Sequence, residues 1–452
     1  MTTAVQPAQA GFAAVVGDSR VISGAAECAA YAVDGEVPNW VVYPSSAEQV
    51  AGVLSHAAEL GLAVVPFRNG SKISIGNPPR RFDVALSLKE MNHVWHYEPD
   101  DLTITIEAGM KLGDLQHFLA RRRLWLPLDP PGGPRASLGG ILATNSAGPL
   151  RLQYGSPRDM VLGMKIATTE GKLIKAGGRV VKNVAGYDLV KLLIGSYGTL
   201  GVIVEASLKL FPLPAERATF VASVRGLDSA RELRRKILNS PLQPLRMALL
   251  DATAAGLSRA GTPLDTQTRE SELWLETGGT PRVIERSERE LEALARDAGV
   301  EPRRLDSHDA EFVWERISDF RTWMVASRPA VLILKAALPP AASEDFLSCA
   351  REEAGKAGLF TASFGQTAVG IIYLCLWADR ETVTPWAPLI SDLRQKAQSV
   401  NGALIVEQCP SELKSTLDVW GPAGDDLELM RQLKLAWDPK QVLSPGRFLG
   451  RL

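Results

Sequence analysis

The chain has 452 residues but only four cysteines, Cys28, Cys349, Cys375 and Cys409, and no two of them stand in a C-x-x-C spacing. That excludes the thiolate sets of iron–sulfur clusters and of structural zinc sites, and sparse cysteine suits a reducing compartment. Histidine is nearly as scarce: His56, His93, His96, His117 and His308 are all there are, and none falls in the C-terminal quarter. No run of 18 apolar residues exists, so no transmembrane helix and no direct membrane insertion are expected. The N-terminus, MTTAVQPAQAGFAAVVGDSR, has no basic region ahead of an apolar core and does not read as a signal peptide. Neither sign of charge dominates, with a formal net charge of -1 and a pI of about 6.6. Capture of nucleic acid or of an anionic membrane by global charge is therefore excluded. An anionic ligand would have to be met by local backbone donors. The expected location is the cytoplasm, at a membrane only through a partner.

Two phosphate-binding signatures are also missing. No G-x-G-x-x-G follows the first strand, and no G-x-x-x-x-G-K-[ST] occurs. What is present is glycine in three long loops, 68–76, 132–148 and 195–201. Backbone N–H groups in such loops can ring an anion, because without Cβ the chain turns sharply and approaches closely. One such loop is as easily a plain turn; three in one domain point to a phosphate-bearing cofactor held neither by a Rossmann turn nor by a P-loop. The stretch VVKNVAGYDLVKLLIGSYGTLGVI, 180–203, is the sharpest case. It opens and closes like a strand, yet carries Gly186, Gly195, Gly198 and Gly201 between.

Hydrophobic periodicity gives an α+β order. PSSAEQVAGVLSHAAELG reads as a helix with a Ser46/Gln49 capping box and Gly61 as its stop. LAVVPF, DVALSL and LTITIEAG read as strands, KLGDLQHFLARRR as an amphipathic helix, and Glu170-Gly171 as a hairpin turn. Residues 127–159 lack periodicity, which in a compact domain marks a functional loop. After Pro214 the character changes to Arg/Glu-rich helices and strands such as AVLILKAAL and VGIIYLCLW. The expected organisation is an N-terminal segment, 1–35, weakly ordered or docking; a cofactor domain, 36–213; a second α+β domain, 214–425; and a C-terminal segment, 426–452, returning to the first domain.

RNGS (68–71), PLDPP (127–131), SLGGILATNSAGP (137–149), YGSPRDMVLG (154–163), KNVAGYDLVKLLIGSYGTLGVI (182–203) and WDPKQVLSPGR (437–447) share order and spacing with one family. The chain resembles the FAD-binding PCMH-type flavoproteins of the vanillyl-alcohol oxidase superfamily, in their D-2-hydroxy-acid dehydrogenase branch. Its NVAGYDL and GSYGTLG wording is most similar to the FAD-binding subunits of bacterial glycolate oxidases. The resemblance implies a two-lobed FAD domain and an antiparallel-sheet cap with helices on one side, the flavin lying between them. It implies FAD, and as partners a catalytic FAD subunit and an iron–sulfur subunit, with a small 2-hydroxy acid as the complex's substrate. By the same resemblance Asn69, Gly70 and Ser71 cradle the pyrophosphate. Pro130, Gly139, Gly140, Thr144, Asn145 and Gly148 follow it toward the isoalloxazine. Tyr154, Ser156 and Arg158 line the channel, Gly201, Val202 and Ile203 pass the adenine or ribose, and Arg447 returns a positive charge near the flavin.

The departures concern chemistry. The first loop usually opens with Arg-Gly; here Phe67-Arg68 stand there, which makes Arg68 a candidate phosphate contact. Family members that oxidise 2-hydroxy acids carry C-terminal histidine motifs for a divalent metal and for the hydroxyl proton, roles an imidazole suits. The equivalent region here, NGALIVEQCPSELKSTLDVWGP, has none, so no metal is expected. His93 and His96 approach a strand, where residues three apart face opposite sides, and read as a solvated edge. Trp314, Phe320 and Trp323 read as core of the second domain. Lys335 and Glu407, each inside an apolar strand, are the only candidates for a catalytic pair; buried charges usually pair, and these two can pair with each other. Three readings stay open: an electron-passing FAD subunit, a stand-alone FAD-dependent D-2-hydroxy-acid dehydrogenase, and a structural flavin-binding subunit without turnover. In covalent flavoproteins of the superfamily a histidine stands where Ser71 is. Acid precipitation of the purified chain is accordingly expected to release all of its flavin into the supernatant; yellow colour in the pellet would contradict a non-covalent site.

Overall fold

A computed structural model describes residues 5–179, 187–261, 270–378 and 386–452. Residues 180–186, at the start of the glycine-bearing stretch, lie outside the described residues. The chain divides into two compact units, one of residues 1–147, 156–212 and 411–452, the other of residues 148–155 and 213–410.

The first unit has two lobes. In one, strands Trp40–Val42, Val84–Ser87 and Val64–Phe67 run parallel, with Val21–Ile22 antiparallel on the outer edge. Helix Ala47–Leu60 follows the first of these because Val50, Val53, Leu54 and Ala57 recur on one face and are all fully buried. Ser46 Oγ caps it by accepting from Gln49 N at 3.2 Å, and Gln49 Oε1 reaches back to Ser45 N at 2.8 Å, one residue short of the expected box. Gly61 ends it at φ 67°. The other lobe is a five-stranded antiparallel sheet in the order Val94–Glu98, Thr103–Glu107, Val202–Lys209, Val161–Ala167, Leu173–Gly177.

The N-terminal segment is a helix, Val5–Val16, docked on Ala47–Leu60. Phe12 is fully buried and sits edge-on to His56 at 5.0 Å. The C-terminal segment runs along the parallel lobe. Val64 N donates to Val442 O (2.7 Å) and Ser444 N to Val64 O (2.9 Å), so the tail runs beside strand Val64–Phe67. Lys434 and Asp438, both buried, hold it in place at 2.6 Å.

The second unit is built on an eight-stranded antiparallel sheet in the order Pro302–Arg304, Glu216–Val224, Ser271–Gly279, Arg246–Leu250, Phe360–Gln366, Ile371–Trp377, Leu332–Ala337, Ala403–Gln408. The α+β class and the antiparallel sheet are as expected, but helices cover both faces and not one. Ala362 and Phe364 pack with Trp314 and Phe320 of helices Ser307–Ser318 and Phe320–Ser327. On the opposite face of the same strand, Gly365 lies against Leu347, and Ser363 Oγ accepts from Arg351, both on helix Ser343–Lys356. The strands are correspondingly apolar on both sides: Arg246–Leu250 is buried at every position. Trp314 and Phe320 are core, as their spacing suggests, and Trp323 is partly buried against them. No helix among the described residues is long and apolar enough to cross a membrane.

Replacing one member of the Lys434–Asp438 pair strands the other as a buried charge, at a cost of about 3–5 kcal/mol. Lys434→Met is expected to lower the thermal midpoint by several degrees, and Lys434→Met with Asp438→Asn to lower it less. A calorimetric scan of the two variants checks the order.

Candidate functional site

Strand Val64–Phe67 runs into a loop that turns at Gly70 (φ 67°), where Ile73 N closes on Gly70 O at 3.0 Å. Across from it, Ser137 caps the short helix Leu138–Ala143 through Gly140 N. The turn Gly195–Gly198 docks on the end of that helix: Gly195 N donates to Leu142 O (3.0 Å) and Tyr197 N to Ala143 O (2.8 Å). Ser444 and Arg447 of the tail close the remaining side. These segments surround a cleft with about 950 Å3 of empty space, part of it open to solvent, entirely within the first unit.

Asn69, Gly70, Ser71, Gly139, Gly140 and Thr144 all line this cleft. So do Gly201, Val202, Ile203 and Arg447. Six other sequence-derived candidates do not. Pro130 is buried in its loop with its carbonyl accepting from Gly133 N. Asn145 follows Thr144 at φ 46°, its Oδ1 buried without a partner. Ser156 caps the short turn Pro157–Met160 with Asp159, and Arg158 is exposed. Gly148 and Tyr154 fall in the second unit.

The glycines divide by what they allow. A Cβ on Gly201 would stand 2.5 Å from Ile166 Cγ2, and one on Gly139 3.0 Å from Ala108 Cβ, so both serve close packing against neighbouring strands. Gly195 and Gly198 are at φ 86° and 69° and make the turn. Gly140 differs: a Cβ there would meet only Ser137 Oγ, at 3.2 Å. The opening for a ligand is therefore at Gly140, whereas Gly201 is bare because of Ile166.

The electrostatics of the cleft have one sign. Arg68, Lys72 and Arg447 line it, and among the described residues no Asp or Glu does. Arg68 is held by Gly109 O at 3.0 Å and by Asn69 Oδ1, and Asn69 in turn by Arg135 O. Lys72, buried, donates to Pro131 O at 2.7 Å. Arg447 is 5% exposed; its Nη2 donates to Ile73 O and, at 2.7 Å, to Ile75 O, while its Nη1 is buried with no partner. Burial without a contacting carboxylate pulls its pKa down to about 10, Asp34 opposing weakly from a distance. An incompletely satisfied guanidinium, two further cations and an open glycine fit a ligand whose middle is a pyrophosphate.

Sequence reasoning missed Lys72, Tyr197 and Ser444. Each had a local signal: Lys72 directly follows Asn69-Gly70-Ser71, Tyr197 stands between two turn glycines, and Ser444 opens the SPGR tail.

In the second unit Lys335 Nζ lies 3.1 Å from Glu407, so the two strand charges do pair. Lys335 also sits 5.5 Å from the ring of Tyr373. His93 bonds Glu107 at 3.0 Å from a largely exposed position, and His96 is exposed. Among the described residues no group of three or more His, Cys, Asp and Glu side chains converges as a metal site.

Two family profiles match the chain: an FAD binding domain over residues 38–177, and the C-terminal domain of FAD linked oxidases over residues 213–448. Among curated proteins it is 24% identical to glycolate oxidase subunit GlcD of Bacillus subtilis, covering 92% of this chain and 90% of that one. It is 27% identical to a probable mitochondrial D-lactate dehydrogenase of Danio rerio, over 99% of this chain and 93% of that one. Among solved structures, p-cresol methylhydroxylase with substrate bound matches with a TM-score of 0.76 at 18% identity, over 99% of this chain and 97% of that one. That likeness establishes the shared fold.

The two kinds of glycine separate experimentally. Gly140→Asp puts a carboxylate into a cleft whose charged lining residues, among those described, are all cations, and is expected to abolish flavin retention while leaving the thermal midpoint of the apo chain unchanged. Gly201→Ala is expected to lower that midpoint, by about 1–3 kcal/mol of overpacking. Flavin absorbance per chain and apo-protein melts distinguish them; a Gly140→Asp chain that purifies yellow would overturn the placement.

Proposed function

We propose that this chain, which belongs to the FAD-linked oxidase family, is the non-covalent FAD-carrying subunit of a 2-hydroxy-acid dehydrogenase complex of the glycolate oxidase kind. Its cofactor is FAD and its class FAD-dependent oxidoreductase. Bound FAD supplies two-electron oxidation and the onward passage of electrons. The residues of this chain do the rest: Arg68, Lys72 and Arg447 would balance the phosphate charges, and the loops at Gly70 and Gly140 would set the cofactor's path.

The observation that carries the subunit reading is the absence of any imidazole from the C-terminal region, His308 being an exposed residue at the start of a helix. No histidine occurs after His308, and the strand pair Lys335–Glu407 is closed on itself at 3.1 Å. A chain with a full cation set for the cofactor and no placed base is suited to passing electrons, with substrate oxidation on a partner. The partners this implies are a catalytic FAD subunit and an iron–sulfur subunit, and any association with a membrane would run through them. The name of the Bacillus subtilis relative, itself a subunit, is consistent with this.

A second reading rests on the same pair. The D-lactate dehydrogenase relatives match along most of the chain, and Glu407 could accept the substrate hydroxyl's proton if Lys335 moved aside. An anaerobic absorbance titration of the isolated yellow chain with D-lactate and glycolate decides between them. The expected result is a flavin that stays oxidised with both acids, is reduced by dithionite, and is reduced by substrate once the partner subunits are added. Bleaching by either acid alone, lost in Glu407→Gln, would replace the subunit reading with the stand-alone enzyme. A flavin that neither dithionite nor partners can reduce would leave a structural role.

A further inference from the structure

One corner of the cleft is aromatic and has no part in the reading above. Tyr197 lines the cleft while half-buried, its ring edge-on to Trp420 at 4.7 Å and stacked on Phe448 at 5.5 Å and 29°. Trp420 meets Phe448 edge-on at 5.1 Å, and its Nε1 donates to Arg447 O at 2.9 Å. Aromatic residues are only 6% of this chain, so a tyrosine at the cleft wall backed by two more rings in mutual contact calls for a physical cause.

The backbone adds to this. Tyr197 is at φ 54°, a conformation unfavourable for a bulky side chain. Asparagine or glycine would take that position with less strain. The turn is nevertheless over-determined, by Gly195 and Gly198 on either side and by the Tyr197 N–H on Ala143 O. The strain is held in place by the fold, and its result is a ring fixed at the cleft wall.

The neighbour of this corner is a cation. Phe448, which backs the Tyr197 ring, directly follows Arg447, whose Nη1 is buried and unpartnered. A ring surface and an unsatisfied guanidinium lining one cleft match the chemistry of a nucleotide, in which a planar heteroaromatic ring is tethered to a phosphate. We propose that Tyr197, clamped by Trp420 and Phe448, is the stacking platform for one of the two planar ring systems of the bound dinucleotide. This rests on the assignment of the cleft to FAD. Tyr197 is a positioning residue: a rigid ring loses little conformational freedom on binding and fixes the plane of its partner.

The test uses the full-length chain stripped of flavin, with affinities for FAD and FMN measured by quenching of flavin fluorescence. Tyr197→Leu is expected to weaken FAD about tenfold, within the range known for stacking of a base on an aromatic ring. Tyr197→Phe and Tyr197→Trp should restore most of it. If FMN affinity is unchanged in Tyr197→Leu, the stacked ring is adenine; if FMN falls equally and the visible flavin band shifts, it is the isoalloxazine. Either result supports the platform. FAD affinity within twofold of wild type in Tyr197→Leu, or a Tyr197→Phe as weak as Tyr197→Leu, overturns it. Should Tyr197→Leu fail to fold by its thermal melt, Phe448→Leu, which removes the backing ring, is expected to weaken FAD about threefold, and unchanged affinity there overturns the proposal equally. A wild-type chain that takes up no flavin at all would instead sink the cofactor assignment, whatever the variants do.

Discussion

The buried ammonium of Lys434 is the constraint on which the cofactor cleft depends. It donates to three acceptors at once: Asp438 Oδ2 at 2.6 Å, Leu443 O at 2.8 Å and Thr199 O at 2.8 Å. Asp438 in turn accepts from Val442 N and Leu443 N at 2.9 and 2.8 Å. One charge pair therefore ties the C-terminal tail both to itself and to the turn that precedes strand Val202–Lys209. A buried ion pair is weak support for stability in general, because desolvation offsets the attraction. This one is fully hydrogen-bonded, and what it secures is position: it pins the tail at residues 438–443, just ahead of Ser444 and Arg447 at the cleft. Burial lowers the Lys434 pKa, Asp438 opposing it, so the pair stays ionic only while both partners are present.

A chain of net charge -1 thus lines one cleft with cations without global electropositivity. The means are local. Arg68 and Lys72 come from the loop after one strand, Arg447 from the tail, and among the described residues no carboxylate lines the same cleft. Burying a guanidinium with carbonyls as its only contacts leaves part of its desolvation uncompensated, which is why its pKa falls. An anion delivered to Nη1 reverses that shift, so binding is favoured by the cost already carried by the empty fold. The same logic explains why so little of the site is conventional phosphate motif: three placed cations and a few turned loops do the work that a helix N-terminus does elsewhere.

Much of this was legible in the chain, and the failures have physical causes. Helix Ala47–Leu60 shows its 3.6-residue stripe and its caps openly, and the hairpin at Glu170-Gly171 follows from turn chemistry. Ten candidate cofactor residues converge because they sit in or beside glycine-bearing loops at the ends of a strand and a short helix. Gly201 lines the cleft and also packs closely: a bare position at a strand's start signals a ligand or a neighbouring side chain, and only the fold shows that Ile166 is such a neighbour. The two-sided cover of the second unit's sheet was written in LILKAA and IIYLCLW, whose near-unbroken apolar runs belong to strands buried on both faces. The grouping of residues 148–155 with the second unit was not legible at all, because it depends on contacts distant in sequence.

The division of labour inside the chain follows from where charge is paired and where it is not. In the first unit an unpaired donor, Arg447 Nη1, is kept buried at the cleft, the mark of a site built to receive something. In the second unit the corresponding strand charges, Lys335 and Glu407, neutralise each other within the sheet, with Arg321 donating to the carbonyl of Glu407 and to Gln408 Oε1. A paired lysine and carboxylate are inert toward a substrate proton unless the pair opens, whereas a neutral imidazole needs no such opening. On the reading proposed above, an oxidoreductase fold with cations at its cofactor cleft and no imidazole over its last 144 residues would pass electrons and leave proton abstraction to a partner. That asymmetry is what a subunit working beside a catalytic partner requires, since electrons can cross a protein interface while the substrate's proton must be taken where the substrate is bound.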